Sequence, residues 1–279
     1  MTQLDAHLAG LKDRLKFTTE TPGLDAQVLL AHILGVERAW VLSHPEAELD
    51  DFQERALAAA VSRLEADEPL PYVLGKWEFY GLEFTLSPEV LIPRPETELL
   101  VDLALDWLKA HPKRRSAADI GTGSGCIAVT LANRVPDLQV VATDVSRQAL
   151  QVAAENCIRH KVADRVRLLQ SDLMDNLESR FDLICANLPY IPTTTLPHLA
   201  IFGREPTSAL DGGERGLDLI GRLLVQAPDH LTPDGLLLLE IEASQGEEAV
   251  DLARQAFPGG DIQVLPDLAG HDRVLYIQS

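Results

Sequence analysis

The sequence predicts an α/β protein. It has a small all-α domain, a β-hairpin linker, and a larger domain on a mostly parallel seven-stranded sheet with an antiparallel edge hairpin. Three observations carry this reading. Residues 1–70 repeat apolar side chains at helical spacing and show little strand-type alternation. Residues 71–90 turn aromatic and β-like. From 117 onward, short apolar runs alternate with helical stretches, the pattern of βαβ units in an open sheet with helices on both faces. The expected boundaries are 1–70, 71–90 and 91–279, and 279 residues suffice for two domains.

Leu4, Leu8, Leu11 and Leu15 fall on one helical face. A second helix over Leu24 to Leu34 gathers Leu29, Leu30, Ile33 and Leu34, with Gly35 as its stop. Asp51 to Ala66 forms a third amphipathic stretch. In the linker, Pro71-Tyr72-Val73-Leu74-Gly75 and Trp77 to Phe84 read as strands, and Gly81 as the turn between strands. Two prolines then bracket Arg94 in Leu91-Ile92-Pro93-Arg94-Pro95-Glu96-Thr97-Glu98, and a helix runs from near Thr97 to about Ala110. The seven candidate strands are Ala117–Ile120, Gln139–Asp144, Val166–Gln170, Phe181–Asn187, Gly235–Ile241, Asp261–Leu265 and Arg273–Gln278.

Composition narrows the function classes. Lys plus Arg number 24 and Asp plus Glu 43, a net charge of −19. An acidic surface repels phosphate backbones, so direct nucleic-acid binding is not expected, whereas a basic protein partner is steered in. Cys126, Cys157 and Cys185 are odd in number and lack CxxC spacing, which fits a reducing cytosol and buried thiols. The eight histidines show no metal-ligand spacing, so no metal is expected. The first sixteen residues are charged too often for a signal peptide, and apolar runs such as Leu236 to Leu239 are too short to span a bilayer. A soluble, cytoplasmic monomer is expected.

The first chemical signal follows the first strand. Asp119-Ile120-Gly121-Thr122-Gly123-Ser124-Gly125-Cys126 opens a helix. A glycine-rich turn at the carboxyl end of a strand lets a nucleotide-like ligand approach the backbone. The alternative is a tight turn without a ligand. Asp144 ends the second strand about twenty residues later, where a carboxylate can accept from both ribose hydroxyls. The spacing G-x-G-x-G departs from the dinucleotide fingerprint G-x-G-x-x-G and suits S-adenosylmethionine. Asp172 can accept from an adenine amino group or cap a helix, and Leu173 can pack on the ring. Asp119 either reaches the sulfonium or amino end of the cofactor through the loop or only braces the loop.

The second signal is Asn187-Leu188-Pro189-Tyr190 at the carboxyl end of the fourth strand. The nitrogen of an amide or aminopurine is a poor nucleophile, because its lone pair is delocalised into the π system. Such a nitrogen needs acceptors rather than a strong base. The Asn187 side-chain oxygen and the Leu188 backbone carbonyl can each take one N–H, fixing the nitrogen for attack. The Tyr190 ring can stack on the planar group and stabilise positive charge as it develops. Pro189 pushes Leu188 away from helical geometry and so helps aim its carbonyl. The alternative is a strand-terminating turn.

The order of these motifs resembles the release factor glutamine N5-methyltransferases, a family of class I S-adenosylmethionine-dependent methyltransferases. The resemblance covers essentially the whole chain. It includes Pro71 to Gly75, Leu91 to Glu98, the Gly121–Gly125 loop, Asn-x-Pro-Tyr, Glu205-Pro206-Thr207-Ser208-Ala209-Leu210-Asp211-Gly212-Gly213 after Arg204, and Asp267 to Arg273. It implies an N-terminal helical domain that helps hold a protein substrate, a hairpin linker and a Rossmann-like catalytic domain. The substrate would be the glutamine of a Gly-Gly-Gln motif in class I peptide chain release factors, and the second product S-adenosylhomocysteine. Gly121 to Gly125, Asp144, Leu173 and Asn187 would meet the cofactor, and Asn187 to Tyr190 the glutamine. One position departs: the family usually has Asn-Pro-Pro-Tyr. Asn-Leu-Pro-Tyr is similar to the ribosomal RNA adenine dimethyltransferases, so an adenine N6-methyltransferase stands as the alternative, and an inactive cofactor-binding adaptor as a third reading. Arg94 is expected to anchor substrate or cofactor, or to pair with Glu96 or Glu98. Glu205 either faces the substrate or is solvated. Neither Glu240 nor Glu242 is expected to be catalytic, and Lys113-Arg114-Arg115 reads as a solvated face.

Overall fold

A computed structural model describes residues 3–279. Met1 and Thr2, the start of the segment expected to be helical, lie outside the described residues. The chain forms two compact units, the first ending at Lys76 and the second running Trp77–Ser279.

The first unit is helical: α1 (Leu4–Leu15), α2 (Pro22–Leu34), α3 (Arg38–Ser43), α4 (Asp51–Glu65) and α5 (Leu70–Leu74). Its core gathers Leu4, Leu11, Leu15, Leu29, Leu30, Val41, Val61 and Leu64. Helix α4 starts with a reciprocal cap: Asp50 accepts from the backbone of Phe52 and Gln53, and the Gln53 side chain accepts from the Asp50 N–H. Gly35 ends α2 at φ 67°.

The linker differs from expectation. Residues 70–74 form a short helix rather than a strand, because Pro71 sits in its first turn and Gly75 stops it at φ 69°. The hairpin is confined to β1 (Lys76–Phe79) and β2 (Leu82–Thr85). Tyr80 and Gly81 both have positive φ, as a two-residue hairpin turn matched to strand twist requires. Asn156 fixes β2 by accepting from Thr85 N and donating to Thr85 O.

The second unit carries α6 (Thr97–Ala110), β3 (Ser116–Ile120), α7 (Cys126–Arg134), β4 (Gln139–Asp144), α8 (Arg147–Arg159), β5 (Val166–Gln170), β6 (Phe181–Ala186), α9 (Asp218–His230), β7 (Leu231–Glu240), α10 (Gly246–Ala256), β8 (Asp261–Pro266) and β9 (Asp272–Gln278). The strand order is β5-β4-β3-β6-β7-β9-β8. All pairings are parallel except those of β9, which runs antiparallel between β7 and β8. The central strands are fully buried through Ala117, Ala118, Ile120, Leu183, Ile184 and Leu236 to Leu239, as expected of a sheet covered on both faces. From β3 the chain winds outward through β4 and β5, then returns to β6 on the other side of β3. The connections after β3 and β6 therefore diverge, and the crevice between them is the switch point at which such sheets bind ligands. Register places Ile120 beside Thr143 and Ala186, and Asp144 beside Gln170. The carboxyl ends of four strands thus share one rim. Arg114 is not a solvated cation: it donates to Asp182, Thr232 and the Pro233 carbonyl, tying the start of β6 to β7.

Candidate active site

The rim opens into a cleft of ≈ 990 Å³ that includes open solvent. The glycine loop after β3 forms its floor. Gly121 sits at φ 74° and has no room for a side chain, since a Cβ would lie 2.8 Å from Leu188 Cδ2. Gly123 sits at φ 54°, and a Cβ there would meet nothing within 4 Å. The backbone at Gly123 is therefore bare and open to a ligand.

The loop is braced from behind. Asp119 is fully buried, and one carboxylate oxygen accepts from Thr122 Oγ1 (2.6 Å) and Ala128 N (3.1 Å). Its other oxygen is buried without a partner. Burial is the main cause that pushes its pKa up to about 6, against the pull of the Thr122 and Ala128 hydrogen bonds. Asp119 does not line the cleft, nor do Ser124 and Gly125. Ser124 is buried with its carbonyl accepting from Asn156, and Gly125 packs 3.2 Å (as a Cβ would) from Ala153. Of the expected cofactor residues, these three close the turn and do not line the cleft.

Gly121, Thr122, Gly123, Asp144, Asp172, Leu173 and Asn187 do line it. Asp144 accepts from Gly123 N (2.9 Å) with one oxygen and from Ser146 N (2.8 Å) with the other. Each oxygen keeps a free lone pair, so the carboxylate can still receive two hydroxyl donors. Leu173 has φ 46°, an uncommon value for leucine, and Thr143 Oγ1 holds its carbonyl at 3.1 Å. No helix follows Asp172, which removes the capping alternative; its carboxylate receives Arg222 Nη2 at 2.7 Å. Val145 is exposed in the same wall, a residue the motif reading passed over. A bare glycine backbone, a carboxylate with two open lone pairs, and apolar Val145 and Leu173 together suit a cationic nucleoside such as S-adenosylmethionine.

The Asn187–Tyr190 segment follows β6 and forms the far wall. Asn187, Leu188, Pro189 and Arg94 line both this cleft and an adjoining pocket of ≈ 320 Å³, which Tyr190, Ile191, Ile201 and Leu210 complete. Asn187 Nδ2 donates to Thr97 Oγ1 at 2.9 Å. Thr97 donates to the buried Glu240 at 2.6 Å, and Tyr190 OH donates to the other Glu240 oxygen at 3.2 Å. Burial raises the Glu240 pKa, opposed by these two donors and by Arg273. Gln245 Nε2 holds the Tyr190 carbonyl at 2.9 Å.

The Glu205–Gly213 segment clamps this wall. Ile191 N donates to Leu210 O, and Gly212 N to Ile191 O. A side chain at Gly212 would fall 2.6 Å from Tyr190 Cα, so the backbones meet only because it has none. Glu205 is buried, not solvated, and accepts from Ile92 N (3.1 Å) and from Arg94. Arg94 therefore pairs with Glu205 rather than with Glu96 or Glu98. Segments 92–97, 187–191 and 205–213 thus converge on one wall. Sequence reasoning saw all three but missed the roles of Thr97, Glu240 and Gln245, since a threonine at a helix start and a carboxylate at a strand end have ordinary structural explanations.

Among the described residues, no group of three His, Cys, Asp or Glu could hold a metal ion. Among the described residues, no helix is long and apolar enough to cross a membrane.

Comparison with known proteins supplies the family. Residues 7–75 match the PrmC N-terminal domain and residues 97–197 the methyltransferase small domain. The release factor glutamine methyltransferase of Moorella thermoacetica is 44% identical over 256 residues, covering 91% of this chain and 90% of that protein. Its counterpart from Koribacter versatilis is 38% identical over 279 residues, covering 99% and 98%. In fold, a crystal structure of a methyltransferase from Pyrococcus furiosus superposes with a TM-score of 0.52 at 20% identity, covering 82% of this chain and 98% of that one. The second unit has the Rossmann-like sheet of class I methyltransferases, and with relatives this similar over nearly its whole length the chain belongs to the S-adenosylmethionine-dependent release factor glutamine methyltransferase family.

Proposed function

We propose that this protein transfers the methyl group of S-adenosylmethionine to the side-chain amide nitrogen, N5, of the glutamine in the Gly-Gly-Gln motif of class I peptide chain release factors. The carrying observation is the shared wall: Asn187, Leu188 and Pro189 border both the cofactor-sized cleft and the smaller pocket. A planar NH₂ group in that pocket meets its acceptors where the two spaces join.

Bound in the cleft, S-adenosylmethionine supplies an electrophilic methyl group on sulfur and leaves as S-adenosylhomocysteine. The backbone at Gly121 to Gly123 lies under it, Asp144 accepts from the ribose hydroxyls, and Asp172 and Leu173 take the adenine. Asn187 Oδ1 and the Leu188 carbonyl hold the two N–H bonds of the amide. Both acceptors draw electron density toward nitrogen and favour the pyramidal geometry that frees its lone pair. Tyr190 and Pro189 confine the flat amide, so orientation lowers the barrier without a strong base. The reading needs no metal, because the proton lost after transfer can pass to solvent. The N-terminal helices help hold the release factor, the enzyme acts as a monomer in the cytoplasm, and nucleic acid is not bound directly. Relatives near 40% identity named for this activity support the reading.

The test presents labelled cofactor to purified release factor and to ribosomal RNA side by side. Label on the release-factor glutamine is expected. Label in RNA but not protein would overturn the proposal in favour of adenine N6 methylation, and label in neither would favour a cofactor-binding adaptor.

A further inference from the structure

We propose that Thr97 and Glu240 are positioning residues that set which end of the Asn187 amide faces the substrate. The inference rests on the acceptor role assigned to Asn187 above.

The argument is a count of protons. An ionised carboxylate only accepts hydrogen bonds. Glu240 receives two donors, one on each oxygen: Thr97 Oγ1 at 2.6 Å and Tyr190 OH at 3.2 Å. Thr97 has one hydroxyl proton, and Glu240 takes it. Toward Asn187 at 2.9 Å, Thr97 can therefore only accept. The end of the Asn187 amide that touches it must be NH₂, and the oxygen is turned away. Asn187 walls both the cleft and the pocket, so that oxygen is the acceptor a substrate meets. Glu240 in its ionised form, which the Thr97 and Tyr190 donors and Arg273 favour against the burial that opposes it, thus fixes the polarity of a chain three side chains long. Thr97 and Glu240 are buried, 2% and 1% exposed, so water does not substitute for the link between them.

The same count explains why neither residue is replaceable by a near isostere. Valine at 97 keeps the shape of threonine but offers no acceptor, so the half-buried Asn187 side chain loses the partner that holds its Nδ2. Half the amide orientations then present NH₂ to an NH₂ substrate, and the two donors repel. Glutamine at 240 has a single oxygen for two donors. Its NH₂ can also donate to Thr97, which frees the threonine proton for the Asn187 oxygen and flips the amide.

The experiment compares wild type, Thr97→Val, Thr97→Ser and Glu240→Gln in steady-state methylation of a release factor, with cofactor affinity and melting temperature measured on each. Wild type must methylate the release factor; if it does not, the acceptor reading fails before this one is reached. Thr97→Val and Glu240→Gln are expected to lose kcat by on the order of ten- to a hundredfold, as the loss of one well-placed hydrogen bond to the reacting group implies. Cofactor affinity should stay within about twofold, because neither side chain bears on the Gly123 or Asp144 contacts. Thr97→Ser, which keeps the hydroxyl, should recover most of the kcat. Wild-type kcat in Thr97→Val would overturn the proposal. So would a Thr97→Ser variant as impaired as Thr97→Val, or losses that track cofactor affinity or melting temperature alone.

Discussion

Substituting Gly121 by alanine tests whether the glycine loop after β3 and the Asn187–Tyr190 segment are one packed unit. Two costs add. Gly121 sits at φ 74°, where an L side chain costs about 1–2 kcal/mol. The new methyl would also lie 2.8 Å from Leu188 Cδ2, well inside ordinary carbon–carbon contact. Leu188 is 4% exposed and cannot swing into solvent, so the clash costs a further ~1–3 kcal/mol of overpacking. The sum, ~2–5 kcal/mol, lowers the melting temperature by roughly 4–15 °C for a domain of this size. Leu188→Ala by itself empties a buried site and costs ~2–5 kcal/mol. Combined, the two changes should be less harmful than their sum by ~1 kcal/mol or more, because truncating leucine removes the atom that alanine meets. Chemical denaturation of the four proteins measures the coupling, and cofactor titration shows whether the loop keeps its affinity. Strict additivity would refute the contact between Gly121 and Leu188, and an unchanged melting temperature in Gly121→Ala would refute the strain argument as well.

Further outcomes follow from the same contacts. Asn187→Ala should abolish methyl transfer while keeping most cofactor binding; near-normal turnover would remove the acceptor role. Leu188→Pro should keep or raise activity, since the carbonyl that accepts belongs to the backbone; complete loss would show a loop built differently from Asn-Pro-Pro-Tyr. Glu205→Ala should destabilise by ~3 kcal/mol, because it strands Arg94 and the Ile92 N–H; an unfolding free energy within ~0.5 kcal/mol of wild type would show the clamp is dispensable. Asp119 supplies a pH dependence. Its folded pKa is raised from the ordinary 3.8 to about 6, so its contribution to stability is present below pH 3.8 and lost as pH rises through 6. Relative to Asp119→Asn, wild type should gain up to ~3 kcal/mol between pH 7 and pH 4. Parallel denaturation curves across that window would show that Asp119 does not titrate there.

Much of the architecture was legible because it rests on local patterns. β4 and β5 begin and end where the apolar runs do, and α6 spans Thr97–Ala110 as its periodicity indicates. Misreadings came where a short segment had no period to read. Pro71 to Val73 is apolar and bulky in either a strand or a helix, and only the proline and glycine at its ends decide for helix. β7 starts at Leu231, four residues before the apolar run, because Leu231 pairs with Phe181 across an irregular register that no sequence period signals. β9 lies inside the sheet with β8 at its edge, an order that chain position does not reveal. At the site, the placement of Gly121, Gly123, Asp144 and the Asn187 segment around one cleft was legible because each follows or ends a strand of the parallel sheet. Ser124 and Gly125 are expected at the ligand because the motif contains them, and Asp119 reads either there or as a brace; none of the three lines the cleft, because which residues of a tight turn face outward depends on backbone angles.

What the motifs could not convey is that the segments outside the glycine loop converge on a single carbonyl pair. Residues 92–98 contribute Thr97 to Asn187 and Arg94 to Glu205. Residues 205–213 contribute Glu205 and a glycine backbone that touches Tyr190. The end of β7 contributes Glu240, and Gln245 holds the Tyr190 carbonyl. Apart from the Arg94–Glu205 pair, which joins the two flanking segments, each contact acts on the backbone or on the orientation of Asn187 to Tyr190, and none requires proline at 188. Leucine loses the ring that would stiffen that residue, but its side chain packs onto Gly121 and is buried, so packing restrains the backbone that proline would restrain covalently. Rigidity of the carbonyl pair can thus come from either source, which is why leucine at 188 is compatible with the chemistry proposed for the Asn187–Tyr190 segment.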